Sequence, residues 1–118
     1  MTLNEYQEKA MTTCMASSDN FSYMFLNLVG EVGEFASKVA KHIRKGLCEV
    51  DGNKLYVDDN LSGESIVELR KELGDIAWQL AGLCKVMGWS LEEVCQENIN
   101  KLASRKERHV IDGNGDNR

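Results

Sequence analysis

Two acidic pairs recur at helical spacing: Glu31 with Glu34, and Glu72 with Asp75. An advance of roughly 100° per residue puts the members of each pair on one flank of a helix, about one turn apart. Glu31, Glu34 and Lys38 then share a flank, and Glu72, Asp75 and Gln79 share an equivalent one. Four carboxylates brought together repel one another, and partial removal from water makes them costlier unless a cation neutralises them. The ligand atoms are all oxygen, which selects Mg²⁺, with Mn²⁺ as the alternative, over zinc or copper. A hard cation held by carboxylates and completed by water binds phosphate oxygens. The acids therefore imply a metal, and the metal implies a phosphorylated ligand.

A further stretch supplies the opposite charge. Asn98, Lys101 and Arg105 stand at i, i+3 and i+7. Lys101 and Arg105 suit phosphate oxygens, the lysine as a point charge and the arginine as a fork, although either alone would equally suit a solvated surface. Asn98 falls among Leu91, Cys95 and Leu102, where an amide needs a partner; a ligand contact and a structural hydrogen bond fit it about equally. Lys38 reads as a phosphate contact or as an i, i+4 partner of Glu34. His42 reads as a surface or loop-contacting residue and His109 as a tail contact. Neither follows the Glu-x-x-His spacing of di-iron bundles, which argues against ferritin-like oxygen chemistry. Trp78 and Trp89 read as packing residues. Tyr6, Phe21 and Tyr56 are candidate base contacts, with core or loop packing the larger expectation.

Four helices must position these groups. Thr2 and Glu5 form a capping box for the first, expected to reach about Ala16. Ser17-Ser18-Asp19-Asn20 breaks the chain and caps a second helix from about Phe21 to Lys45, stopped by Gly46. Ser65 with Glu68 opens a third helix to about Met87, ended by Gly88, and Ser90 with Glu93 opens a fourth to about Lys106. The tail, about 107–118, reads as flexible loop. The long connection between the second and third helices holds Asp51-Gly52 and is expected as a small hairpin or a disordered loop. Apolar stripes run through Phe21, Met24, Phe25, Leu28, Val32, Phe35, Val39 and Ile43, and through Ile66, Leu69, Leu73, Ile76, Leu80, Leu83 and Met87. Facing each other, they make an all-α four-helix bundle.

The two central helices echo one another. Leu28 to Ala40, LVGEVGEFASKVA, aligns with Leu69 to Ala81, LRKELGDIAWQLA, pairing Glu34 with Asp75 and Gly33 with Gly74. Each glycine costs about 1 kcal/mol against alanine in a helix interior. The expected return is close approach of the two helices.

Composition sets the limits. The chain has 118 residues, 42% hydrophobic and 28% charged, with no proline, which fits one helical domain over 1–118. A core of this size is modest, and association would enlarge it. A net charge of −5 argues against a nucleic-acid partner. No apolar run approaches the roughly 20 residues that cross a bilayer. The opening Met1-Thr2-Leu3-Asn4-Glu5 lacks a secretory pattern. Cys14, Cys48, Cys84 and Cys95 form no Cys-x-x-Cys pair, which argues against a zinc or disulfide framework. A cytoplasmic protein is expected.

Glu31-x-x-Glu34 followed by Glu72-x-x-Asp75 resembles the metal motif of the MazG-like nucleoside triphosphate pyrophosphohydrolases, a superfamily that includes dimeric dUTPases and dCTP pyrophosphatases. Asn98-x-x-Lys101-Leu102-x-x-Arg105, the tail Gly113-x-Gly115-Asp116-Asn117-Arg118 and the opening Thr2-Leu3-Asn4-Glu5-Tyr6-Gln7 are also similar to such sequences. Together they span nearly the whole chain; each alone is weak, and their order is the more specific signal. The resemblance implies a helical homodimer or homotetramer, often with sites near subunit contacts. It implies hydrolysis of a (deoxy)nucleoside triphosphate to monophosphate and pyrophosphate. Glu31, Glu34, Glu72 and Asp75 would bind Mg²⁺, and Glu31, ahead of Glu34, would activate water. Lys38, Lys101 and Arg105 would hold phosphates, and Asn98 phosphate or base. Two departures stand out: Gly30 occupies a place where many members have a leading glutamate, and residues 46–64 lengthen the gap between the motifs. A nucleotide-sensing module without turnover, a purely structural helical partner and a phosphoribosyl-ATP hydrolase are the rival expectations.

Overall fold

A computed structural model describes residues 1–58 and 63–118. In chain order come α1 (Leu3–Met11), a 3₁₀ turn (Ala16–Ser18), α2 (Phe21–Arg44), the strands β1 (Cys48–Asp51) and β2 (Lys54–Val57), α3 (Gly63–Val86) and α4 (Leu91–Glu107). This is the expected all-α architecture, with a small hairpin between the second and third helices.

Local chemistry accounts for most boundaries. Thr2, Asn20 and Ser90 each accept a hydrogen bond from the backbone N–H three residues on, capping α1, α2 and α4. Gly46 and Gly88 end α2 and α3 with positive φ. There Leu47 N–H reaches His42 O at 2.8 Å and Trp89 N–H reaches Cys84 O at 2.8 Å, the six-to-one bond of a Schellman turn. His109 ends α4 the same way, at φ 59°. The hairpin turns at Gly52, φ 61°, the positive-φ first position of a tight two-residue turn.

Two boundaries differ from expectation. α1 stops at Met11, not near Ala16, because the hydroxyls of Thr12 and Thr13 turn back onto Lys9 O and Ala10 O at 2.6 Å each. α3 already includes Gly63, so Ser65 lies inside the helix, and the side chains of Ser65 and Glu68 meet His42 on α2. The tail is not loose either. Arg105 holds Asp116, while Arg118 reaches back to Val110 O and Ile111 O.

α2 and α3 run antiparallel as the main pair. The residues lining their seam differ from the apolar stripes read in the sequence. On α3 the column Ser65, Glu72 and Gln79 is buried beside Leu69, whereas Leu73 and Leu80, and Met87 just past the helix end, are exposed. On α2 Met24 and His42 are buried, with Leu28, Glu31, Phe35 and Lys38 half-buried, whereas Phe25, Val32 and Ile43 are exposed. The helices are thus rotated so that the acid flank faces inward. Close approach falls at Gly82, not at Gly33 or Gly74. A Cβ at 82 would lie 2.4 Å from Met24 Sδ, while nothing lies within 4 Å of one at 33 or 74.

α1 crosses α3, and Gln7 braces the corner where α3 turns into α4. It accepts from Leu91 N–H at 2.9 Å and donates to Trp89 O at 3.1 Å and Ala81 O at 3.3 Å. Around it Ala81, Cys84 and Leu91 form a small core, joined by Tyr6, Met11 and Cys95. The four cysteines are free thiols.

Candidate metal centre

The α2–α3 seam is lined by polar groups, each positioned by the helical repeat. Asn27, Glu31, Lys38 and His42 come from α2; Ser65, Glu68, Glu72, Asp75 and Gln79 come from α3. In its middle, Glu31, Glu72 and Asp75 offer carboxylate oxygens that all lie within 4.8 Å of one another. Glu72 is buried, Glu31 half-buried and Asp75 exposed, so the cluster opens from the seam toward solvent.

Electrostatics follow from that crowding. Burial first, then the Asp75 and Glu72 charges, push the Glu31 carboxyl above its ordinary range; a hydrogen bond from Asn27 Nδ2 at 3.3 Å pulls the other way. Burial and Asp75 raise the Tyr6 phenol. Lys38 Nζ pairs with Glu72 Oε1 at 2.5 Å and is held protonated above the usual lysine range chiefly by that bond. Its partner is therefore across the seam and not Glu34. His42, expected at the surface or against a loop, is buried on the α2–α3 seam, with Ser65 Oγ 3.5 Å from Nδ1 and Glu68 3.3 Å from Nε2.

An open pocket of about 400 Å³ adjoins the acids, lined by Glu31 and Asp75 with Thr13, Tyr23, Asn27, Trp78 and Gln79. Gln79 is only 3% exposed, yet among the described residues its Oε1 has no hydrogen-bond partner. A buried carbonyl left so is expensive unless a ligand or water donates to it. A depression of similar volume, about 400 Å³, lies between the end of α2 and the hairpin. Among the described residues no cluster of converging carboxylates serves it, whereas the pocket beside the seam adjoins one.

The residue types fit a hard divalent cation: carboxylate oxygens only, mutually repelling, with an open side for water or ligand. Against known families, residues 20–110 match the model of the MazG nucleotide pyrophosphohydrolase domain. The chain belongs to the MazG nucleotide pyrophosphohydrolase family. It is 41% identical over 102 residues to the gene 37 protein of Mycobacterium phage L5, covering 86% of this chain and 80% of that one. No solved structure gives a significant match. Membership of the MazG family accords with an acid cluster suited to a metal.

The structure does not bring all the sequence candidates together. Glu34 is exposed and stands outside the cluster of Glu31, Glu72 and Asp75. Asn98 is exposed on α4 and is not the buried amide expected there. Lys101 and Arg105 do not line the pocket. They meet Asp116 of the tail at 3.5 and 3.3 Å, and Arg105 also donates to Asp116 O at 2.9 Å. Arg105 foremost, with Lys101, holds the Asp116 carboxyl below its ordinary range. Asn27 was not singled out from sequence, and Asp116 only as part of the tail motif Gly113-x-Gly115-Asp116-Asn117-Arg118, without a role. Asn27 lies one turn before Glu31 on the same flank, a spacing that marks it in hindsight. Asp116 pairs with α4 through a chain reversal that no local pattern encodes. Among the described residues, no helix is long and apolar enough to cross a membrane.

Proposed function

We propose that this protein is a Mg²⁺-dependent nucleoside triphosphate pyrophosphohydrolase, converting a (deoxy)nucleoside triphosphate to monophosphate and pyrophosphate. The observation that carries the reading is the convergence of Glu31, Glu72 and Asp75 on facing helices of a MazG domain. These three residues would hold the cation, which when bound supplies positive charge against the phosphate oxygens. Glu31 is the better-placed base. It sits in the cluster, its proton affinity is raised by burial and by its acidic neighbours, and it would orient the attacking water and accept its proton. Glu34, outside the cluster, is the weaker candidate for either role. Lys38, at the rim of the seam, would face charge developing on the leaving pyrophosphate.

A second copy of the chain belongs to the same proposal. The exposed column Leu73 and Leu80 on α3 with Met87 just past its end, together with Phe25, Val32 and Ile43 on α2, is an apolar face left uncovered within one chain. The radius of gyration is 17.6 Å, against about 13–14 Å for a compact chain of this length. A homodimer or homotetramer would cover that face. The proposed phosphate roles of Asn98, Lys101 and Arg105 require a contact between copies, since within one chain they lie away from the pocket.

The test is a panel of ribo- and deoxyribonucleoside triphosphates with Mg²⁺, resolving monophosphate plus pyrophosphate from diphosphate plus phosphate. The expected result is the first product pair, abolished by EDTA and reduced about 100-fold or more in Glu31→Gln, the usual range for loss of a general base. A folded protein that turns over none of them would sink the reading. Tight nucleotide binding without turnover would instead support the sensing module, for which the isolation of Glu34 from the other acids is the favouring observation.

A further inference from the structure

The polar groups beside the acid cluster are layered along the seam. Because α2 and α3 are antiparallel, four residues back from Glu31 and four residues on from Asp75 lead the same way, each a rise of ~6 Å. Those steps end at Asn27 and Gln79, and both residues line the pocket that Glu31 and Asp75 open into. About one turn further, the fully buried Met24 packs against Gly82 and closes the seam. The order along the seam is thus carboxylates, then amides, then a closed apolar contact.

The amide layer lacks a donor. Gln79 is buried, and among the described residues nothing donates to its Oε1. The N–H groups around it are already committed. Asn27 Nδ2 goes to Glu31 Oε1 at 3.3 Å, and Trp78 Nε1 goes to Thr13 Oγ1 at 2.9 Å and Ala10 O at 3.1 Å. A carbonyl oxygen repels phosphate oxygens, so this acceptor does not serve a triphosphate. It calls for an uncharged donor about one helical turn from the acids. In a nucleotide the sugar stands next to the phosphates and the base stands beyond it, so the donor at that distance is a sugar hydroxyl. The base, one ring further on, meets the closed Met24–Gly82 contact along the seam and turns outward toward the exposed Tyr23, which lines the same pocket.

On the reading that the site takes a nucleoside triphosphate, we infer that Gln79 is a specificity-determining residue whose side-chain carbonyl accepts a hydrogen bond from a hydroxyl of the nucleotide sugar. The selection falls on the sugar and not on the base. A nucleotide without that hydroxyl leaves the buried Oε1 unpaired, whereas a change of base leaves the contact intact.

The probes are α,β-methylene triphosphates, which resist cleavage at the bond in question. Each common base is taken in its ribo, 2′-deoxyribo and 2′,3′-dideoxyribo form, and affinity is measured by calorimetry with Mg²⁺. In the wild-type protein one step of the sugar series should weaken binding about tenfold, the effect of leaving one buried acceptor unpaired, and that step identifies the hydroxyl. In Gln79→Leu the intact nucleotide should bind about tenfold more weakly, the step should vanish, and the order of the bases and the affinity for Mn²⁺ alone should not change. A flat sugar series in the wild-type protein would overturn the inference, as would a step that survives in Gln79→Leu. An altered order of bases would make Gln79 a base contact, and weaker Mn²⁺ binding would make its oxygen a cation ligand; either result also overturns it. A folded wild-type protein that binds none of these nucleotides would defeat the proposed function itself, a separate failure. Should Gln79→Leu not fold, Gln79→Met carries the same expectations.

Discussion

Gln79 shows what the site costs at the scale of one residue. Its carbonyl oxygen is buried without a partner beside the acid cluster, an arrangement that a packing role alone would not retain. Gln79→Leu should therefore raise the stability of the ligand-free protein by about 1 kcal/mol, since it removes an unmet acceptor and keeps the volume. It should also weaken nucleotide binding. Thermal melts paired with calorimetric titration of a nucleotide measure both, and a loss of stability without loss of binding would assign Gln79 to the fold. Glu31 and Glu72 carry the same tension. Burial first, then repulsion from Asp75 and Glu72, raises the proton affinity of Glu31 in the ligand-free chain.

At the scale of the element, the α2–α3 pair depends on Gly82 and not on the two glycines of the internal echo. Met24, completely buried, packs against Gly82, and an added Cβ would lie 2.4 Å from its sulfur and 2.7 Å from its terminal methyl. A Met side chain is flexible, but one enclosed on all sides has little room to withdraw. Gly82→Ala should cost about 1–3 kcal/mol, the usual range for overpacking, read as a lower denaturation midpoint. An unchanged midpoint would mean that α2 shifts along α3 at little expense. Gly33 and Gly74 meet nothing within 4 Å inside the chain, which leaves their surfaces open to another molecule.

The whole molecule is less closed than its helices. α4 is buried at Leu91 near its start and at Arg105 in its last turn, while Ile99 and Leu102 between them are exposed. Together with the open faces of α2 and α3, this leaves apolar surface that the proposed association would cover. Leu80→Glu, placed on the exposed column of α3, should shift the protein toward monomers in sedimentation equilibrium and should leave the helix content of each chain largely intact. A wild-type protein that sediments as a monomer at micromolar concentration would contradict the proposed assembly.

The sequence alone determined what local interactions determine. Thr2, Asn20 and Ser90 cap helices because a side-chain oxygen reaches an N–H three residues away, and Gly46 and Gly88 end them because they accept positive φ. The acids at 31, 72 and 75 were legible for the same reason, since a turn of helix aligns them whatever surrounds it. Only the tertiary structure decided which face of each helix turns inward. Leu69, Ile76 and Leu83 are common to two heptad-like columns on α3, one completed by Ser65, Glu72 and Gln79, the other by Ile66, Leu73 and Leu80. The two columns differ by one residue, roughly 100° of rotation, and helical periodicity alone cannot choose between them. Hydrophobicity favoured the second as the internal contact. The chain buries the first, where Lys38 and His42 on α2 meet Glu72 and Ser65 of the polar column, and the apolar column is left facing outward. Glu34, on the same flank as Glu31 in sequence, is left out of the cluster by that same rotation.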